Sequence, residues 1–162
     1  MSVEEAVVPR LARNPSPATK ARKAPPRRVR VLIVDDIAEN RAVLGVCCEQ
    51  FGMAFEGVAS GREAVEAAKS GRFDLVYMDI LMPGMDGVAA TRAIRALPDA
   101  AAKTPIIAVT TASEPMDLLH YRHCGITGVV AKPIDVARLW AATQAALAES
   151  KRLRRTRERL SA

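Results

Sequence analysis

The chain has 162 residues, of which 49% are hydrophobic and 4% aromatic. This length is enough for one domain with a hydrophobic core and short for two. No stretch approaches the about 18 to 20 consecutive apolar residues of a membrane-spanning helix, and the N-terminus has no basic region that leads into an apolar one. The three cysteines, two of them adjacent, do not form the spaced pairs of a disulfide framework. We therefore expect a cytoplasmic protein without a transmembrane segment.

Charge is distributed unevenly along the chain, whose total formal charge is +6. The net charge is +6 for residues 1–30, −5 for residues 31–150 and +5 for residues 151–162. An acidic body therefore lies between two basic ends. The excess of positive charge influences which partners the chain can bind and how soluble it is, but it does not indicate the fold.

Residues 1–28 are predicted to form a disordered basic arm. The segment from Pro9 to Arg28 contains five prolines among Arg, Lys, Ala and Ser, with almost no large apolar side chain. Such a segment cannot bury enough apolar surface to offset the entropy lost on ordering. We expect the folded domain to cover residues 29–149, followed by a basic extension at residues 150–162.

Apolar runs and helical stretches alternate five times after the arm. The predicted strands cover residues 29–34, 54–59, 74–78, 105–110 and 127–131, and each is followed by a helical pattern. Five β-then-α units with short connections indicate a doubly wound α/β fold, (βα)5, with a parallel sheet covered by helices on both faces. For such a fold we adopt the known flavodoxin-like strand order 2-1-3-4-5.

Polar residues follow the predicted strands where these end. The first strand runs into Asp35 and Asp36, the third into Asp79, the fourth into Thr110, and the fifth into Lys132. The carboxyl ends of parallel strands meet in one crevice, so we expect three carboxylates to lie together. Such a cluster needs a compensating cation, and ligands that are all oxygen favour Mg²⁺. Beside this ion and a lysine, a carboxylate can act as nucleophile towards a phosphoryl group.

Four motifs occur in order along the chain: VLIVDD, DLVYMDILMPGMDG, PIIAVTTAS and VVAKPI. Together they resemble the CheY-like receiver domain of two-component response regulators, and the resemblance covers about residues 30–148. It implies a protein that accepts a phosphoryl group and catalyses only its own phosphorylation and slow dephosphorylation. The donor is then a histidine kinase or a phosphotransfer protein.

The resemblance also implies roles for individual residues. Asp79 is then the phosphoacceptor and a Mg²⁺ ligand, with Asp36 a direct ligand and Asp35 acting mostly through a bound water. The backbone carbonyl of Leu81 is a further ligand. The hydroxyl of Thr110 and the ammonium group of Lys132 bind the phosphoryl group.

Two further features follow from the same resemblance. The peptide bond before Pro133 is expected to be cis. Receivers often have Tyr or Phe three positions before the lysine, and this chain has Val129 there. We therefore expect no aromatic switch at that position.

The C-terminal extension is the least determined part. Leucine and alanine keep a heptad spacing through the last helical pattern, so the helix either continues into the extension or ends in a solvated tail. The extension contains five arginines that suit an anionic partner: Arg152, Arg154, Arg155, Arg157 and Arg159.

Two hypotheses about the function of the chain follow. In the first, it is a stand-alone response regulator that signals through contacts with an unknown downstream protein, since no second domain is expected. In the second, it is an adaptor controlled by cyclic di-GMP bound to the arginine-rich extension, because such an extension resembles that of a subgroup of CheY-like effectors. Direct binding of nucleic acid is less favoured, because the body of the chain is acidic.

Overall fold

The computed structural model describes residues 27–98, 100–111 and 115–162. Most of the predicted basic arm, residues 1–26, lies outside the described residues. The regular elements, in chain order, are β1 (Arg30–Val34), α1 (Ala38–Gln50), β2 (Ala54–Val58), α2 (Gly61–Ala68), β3 (Leu75–Met78), α3 (Gly87–Arg95), a 3₁₀ turn (Ala101–Lys103), β4 (Ile106–Thr110), α4 (Pro115–His123), β5 (Gly128–Ala131) and α5 (Val136–Ser161).

The five strands form one parallel sheet in the order β2-β1-β3-β4-β5. Strand β1 lies between β2 and β3 and pairs with both, and Val34 lies opposite both Val58 and Met78. The predicted α/β class, the doubly wound (βα)5 arrangement and the flavodoxin-like strand order 2-1-3-4-5 are therefore confirmed.

The apolar runs of the strands are continuous because the sheet is covered on both faces. Alternate residues of β1 enter different cores: Leu32 and Val34 pack with one apolar cluster, and Val31 and Ile33 pack with the other. This division is the expected consequence of side chains that point to opposite faces in turn along a strand. The first cluster contains residues of α2, α3 and α4, and the second contains residues of α1 and α5.

A buried polar contact joins helix α5 to the sheet. The hydroxyl groups of Tyr77 and Thr143 lie 2.6 Å apart, and Thr143 also donates to the carbonyl of Leu139. The helix continues without a break to Ser161, and its residues from Lys151 onward are exposed. Among the described residues, none of the helices combines the length and the apolar character that crossing a membrane requires.

Trp140 is more exposed than the sequence pattern of the last helix predicts. The apolar pattern of the last helix predicts that it is buried with Leu139, but its side chain is 37% exposed whereas Leu139 is fully buried. The indole lies on the rim of the second cluster, with its ring centroid 4.6 Å from that of Phe51. Trp140 therefore covers the contact between α5 and the end of α1.

Candidate functional site

The carboxyl ends of four neighbouring strands bring the predicted polar residues together. Asp35 follows β1, Asp79 follows β3, Thr110 ends β4 and Lys132 follows β5. Backbone bonds between the strands continue to this edge: the amide of Asp79 donates to the Val34 carbonyl over 2.8 Å, and that of Lys132 to the Thr110 carbonyl over 2.9 Å. The backbone of Asp79 and Lys132 is thus still hydrogen-bonded to the neighbouring strands.

The three aspartates form a compact acidic cluster. One carboxylate oxygen from each of Asp35, Asp36 and Asp79 lies within 4.8 Å of the others, and in the described part of the chain this is the one such group of His, Cys, Asp or Glu ligands. Asp35 and Asp79 are buried, whereas Asp36 is exposed. The cluster therefore opens to solvent on the side of Asp36.

Lys132 bridges two of the three carboxylates. Its ammonium nitrogen lies 2.8 Å from Oδ2 of Asp35 and 3.4 Å from Oδ2 of Asp79. The lysine is largely buried, and the peptide bond that joins it to Pro133 is cis, as expected from the resemblance. One cation thus faces two buried anions, with the third carboxylate at the entrance.

Asp35 has further partners that the sequence interpretation missed. Its Oδ1 atom accepts hydrogen bonds from the backbone amide of Ile37, at 2.9 Å, and from the side-chain amide of Asn40, at 3.1 Å. The guanidinium group of Arg41 donates to the backbone carbonyl of Asp35 over 2.8 Å. Asn40 and Arg41 both lie in the first turn of α1. Their closeness in sequence to Asp35 and Asp36 could have identified them as partners of the site.

The environment of Asp79 favours its protonated form. Burial is the largest cause that raises the pKa of this carboxyl, and the nearby Asp35 carboxylate raises it further. The Lys132 ammonium group and the hydrogen bond from the Leu81 amide act in the opposite direction, but the pKa stays above its usual value. A second cation at the cluster would lower the pKa of Asp79, because it would stabilise the ionised carboxylates.

The loop after β3 fits tightly against the start of α3. The backbone amide of Leu81 donates to Oδ1 of Asp79 over 3.3 Å, and that of Gly87 donates to the carbonyl of Ile80 over 2.9 Å. A Cβ atom at Gly87 would lie 2.2 Å from the carbonyl oxygen of Asp79. Asp86 caps α3 by accepting from the amide of Ala89. Only glycine lets the helix begin this close to Asp79.

The donor set of the cluster fits a small hard cation. Three carboxylates supply oxygen atoms, and neither a thiolate nor an imidazole belongs to the group. Mg²⁺ prefers such ligands and retains waters at its remaining positions, which the exposed side at Asp36 allows.

The arginine-rich extension lies far from the acidic cluster. A groove of about 290 Å³ runs between α5 and the opposite edge of the sheet, and it is lined by Pro105, just before β4, and by Thr127, just before β5. Leu153, Arg154 and Arg157 line the same groove. Arg152, Arg155 and Arg159 line a different depression on the helix surface. The structure thus separates the five predicted arginines into two groups.

Known proteins share this sequence pattern. The family model of the response regulator receiver domain matches residues 31–144. The signal transduction histidine-protein kinase BarA of Escherichia coli K12 is 39% identical over 109 residues, which are 67% of this chain and 12% of the kinase. The transcription factor SKN7 of Candida albicans is 33% identical over 138 residues, 81% of this chain and 24% of that protein. The chain thus spans only a small part of the length of these two relatives.

Solved structures show the same fold at similar identity. The chemotaxis protein CheY4 of Vibrio cholerae is 31% identical, with a TM-score of 0.70, and the match covers 75% of this chain and all of CheY4. The receiver domain of a sensor histidine kinase from Pseudomonas aeruginosa PAO1 is also 31% identical, with a TM-score of 0.69 over 75% of this chain and 99% of that domain. That domain was solved with a magnesium ion coordinated in its active-site cleft. This chain belongs to the response regulator receiver domain family of two-component systems.

Proposed function

We propose that Asp79 accepts a phosphoryl group from a phosphohistidine, and that the chain acts as a stand-alone response regulator. The observation that carries the proposal is the acidic cluster itself, with a lysine held between Asp35 and Asp79. Among the relatives, BarA is a signal transduction histidine-protein kinase and SKN7 is a transcription factor. The proposed donor is a histidine kinase or a phosphotransfer protein, and the proposed output is a contact with a downstream protein.

In the proposed reaction an ionised carboxylate oxygen of Asp79 attacks the phosphorus atom. A P–O bond forms as the P–N bond to the donor imidazole breaks, and the electron pair of that bond returns to the imidazole nitrogen. The product on this chain is an acyl phosphate at Asp79. The attack needs the ionised form, so the charges that face Asp79 decide how readily it reacts.

The proposed metal ligands are the carboxylates of Asp35, Asp36 and Asp79 and the backbone carbonyl of Leu81. When bound, Mg²⁺ supplies positive charge that offsets the charge on the phosphoryl oxygens. The chain itself contributes Lys132, whose ammonium group faces Asp79 at 3.4 Å and can pair with an incoming phosphoryl oxygen.

Thr110 is proposed to bind the phosphoryl group with its hydroxyl. It ends β4 next to β3 and is fully buried, at the same edge of the sheet as Asp79. Asp35 is held by Lys132, Ile37 and Asn40, so its orientation is fixed before any ligand arrives. Preorganised charge of this kind is effective because it needs no rearrangement during the reaction.

The test of this function is labelling with acetyl phosphate in the presence of Mg²⁺, read by intact-protein mass spectrometry. The full chain should gain one phosphoryl group, and Asp79→Asn should gain none. Asp74→Asn is the matched control, because the same chemical change then lies just before β3, at the opposite edge of the sheet. Unchanged labelling of Asp79→Asn would exclude Asp79 as the acceptor.

A second candidate function is binding of cyclic di-GMP to the C-terminal extension. The helical groove favours it, because Arg154 and Arg157 face the groove beside Leu153 and have no ion pair to a carboxylate in the described part of the chain. Arginine pairs with phosphate through two parallel hydrogen bonds, and its planar group stacks on flat rings.

Calorimetry with cyclic di-GMP tests this second candidate on the full chain. Binding in the groove should be weakened by Arg154→Ala or Arg157→Ala and retained in Arg155→Ala, since Arg155 lies in the other depression. Absence of heat with the full chain would remove this candidate and leave the phosphoacceptor function untouched.

A further inference from the structure

Arg41 reaches from the first turn of α1 to the end of β1. Its guanidinium group donates to the backbone carbonyl of Asp35 over 2.8 Å. The residue is only partly exposed, and its side chain forms no ion pair with a carboxylate among the described residues. A charged side chain is thus bound to the backbone of the acidic cluster, and none of the carboxylates neutralises it.

The side chain of Arg41 passes over β2 on its way to this carbonyl. A Cβ atom added at Gly57 would lie 3.4 Å from Cδ of Arg41 and 3.8 Å from its Nε. Gly57 pairs with Ile33 in the strand that leads to Asp35. Because Gly57 has no side chain, the space above it is open to the stem of Arg41. A larger side chain at this position of β2 would compete with Arg41 for that space.

The carbonyl that Arg41 binds belongs to the peptide group between Asp35 and Asp36. This group is planar, so a hydrogen bond to its oxygen restrains the orientation of the whole unit. On the other side of Asp35, the backbone amide of this residue donates to the carbonyl of Val58 over 3.3 Å. The backbone at the paired aspartates is therefore held from β2 and from α1.

The carboxylates of Asp35 and Asp36 are held in different ways. The carboxylate of Asp35 accepts hydrogen bonds from Ile37 and Asn40. Asp36 is exposed, and within the described ranges its carboxylate has neither a hydrogen bond nor an ion pair. The position of this carboxylate depends on the backbone from which it extends, and Arg41 holds that backbone.

We propose that Arg41 is a positioning residue that orients Asp36 for Mg²⁺. The inference rests on the proposed function, in which Asp36 is a metal ligand. Removal of a group that orients a metal ligand typically lowers metal affinity by about 10- to 100-fold. Arg41 acts through the backbone on one of several ligands, so we expect a loss of Mg²⁺ affinity at the lower end of this range, roughly tenfold.

The charge of Arg41 has the opposite effect on Mg²⁺ binding. A guanidinium group beside the cluster repels a cation, so loss of the charge by itself would make Mg²⁺ bind more tightly. Loss of the hydrogen bond to the Asp35 carbonyl would make Mg²⁺ bind less tightly. The direction of the change therefore separates a positioning role from a purely electrostatic one.

The experiment measures the Mg²⁺ affinity of the full chain by NMR, from the amide shifts of Asp79 and Lys132 as magnesium chloride is added. Arg41→Met removes the guanidinium group and keeps an unbranched stem over Gly57. Arg62→Met is the matched control, because Arg62 lies in the first turn of α2, is exposed, and has no side-chain hydrogen bond or ion pair in the described part of the chain.

Arg41→Met should bind Mg²⁺ roughly tenfold more weakly than the unaltered chain. Arg41→Lys should recover part of the affinity, because its ammonium group can still donate to a carbonyl. Arg62→Met should bind Mg²⁺ at least as tightly as the unaltered chain. Unchanged or tighter binding by Arg41→Met would overturn the inference, and so would an equal loss of affinity in Arg62→Met.

Urea denaturation without Mg²⁺ separates positioning from folding. Arg41→Met should unfold at nearly the same urea concentration as the unaltered chain, because the packing over Gly57 is kept. A large loss of stability together with the loss of affinity would make Arg41 a structural residue and overturn the inference.

The same titration distinguishes failure of the inference from failure of the proposed function. If Mg²⁺ shifts the Asp79 amide of the unaltered chain and Arg41→Met binds the ion equally well, the inference alone is wrong. If Mg²⁺ leaves the Asp79 and Lys132 amides of the unaltered chain in place, the proposed metal site itself has failed, and the role of Arg41 fails with it.

Discussion

Replacing Gly87 by alanine tests how the loop after β3 is held against the start of α3. The added Cβ atom would lie 2.2 Å from the carbonyl oxygen of Asp79 and 2.8 Å from Cα of Ile80, whereas ordinary contacts begin at 3.4 Å. The distance to the carbonyl oxygen would thus be more than 1 Å too short. Both neighbours are backbone atoms, so no side chain can turn aside to relieve the clash. Overpacking typically costs about 1 to 3 kcal/mol, and we expect about 3 kcal/mol or more here.

Urea denaturation measures the free energy of unfolding of Gly87→Ala, with Gly84→Ala as the matched control. Gly84 has a φ angle of +74° and no atom within 4 Å of its added Cβ. Its replacement should therefore cost only the backbone term, about 1 to 2 kcal/mol. Gly87→Ala should also weaken beryllofluoride binding, because the clash moves Asp79. The reasoning is refuted if Gly87→Ala destabilises the chain no more than Gly84→Ala does.

Three further predictions concern buried polar groups. Burial and a neighbouring carboxylate raise the pKa of Asp79, so its ionised form destabilises the fold. Without Mg²⁺, Asp79→Asn should therefore raise the melting temperature at pH 7. This rise in melting temperature should vanish in acid below the ordinary carboxyl pKa, because Asp79 is then protonated in both the folded and the unfolded chain. Within the described part of the chain, the buried hydroxyl of Thr91 has no hydrogen-bond partner, so Thr91→Val should be neutral or stabilising in urea denaturation. Thr143→Val removes the partner of the Tyr77 hydroxyl and should cost about 1 to 3 kcal/mol. A larger loss of stability in Thr91→Val than in Thr143→Val would contradict this reasoning. Burial raises the pKa of the Cys48 thiol to about 12, so Ellman's reagent at pH 8 should leave this thiol unmodified in the native chain and modify it in urea. Rapid labelling of Cys48 in the native chain would contradict this prediction, because it would show that the thiol is accessible.

The sequence was sufficient to predict a parallel sheet, whereas the strand order was taken from the known flavodoxin-like fold. Residues 31–34 of β1 and all of β3 are hydrophobic and buried, as expected for strands that are covered on both faces. The alternation with helical patterns then required parallel strands, and parallel strands place their polar carboxyl ends at one edge. The meeting of Asp35, Asp79 and Lys132 follows from that topology, and their roles stay proposals.

The sequence was less informative where a helix is involved. Trp140 and Tyr121 are both aromatic residues in helical patterns, but one lies on a rim and the other in the core. The choice depends on how each helix is rotated against the sheet, and neighbouring helices determine that rotation. The same holds for the five arginines of α5, because only the docked helix decides which of them face the groove.

Local sequence therefore determined the strands, the order of the elements and the residues that end each strand, because these depend on contacts close in the chain or on burial of whole segments. The tertiary structure decided the rest. It placed Lys132 between two carboxylates that are far from it in sequence, it made glycine necessary at Gly87 through contact with Asp79, and it buried Tyr121 in the apolar cluster that also contains Ile80. Each of these depends on distances between separate elements, and those distances exist only once the helices have packed on the sheet.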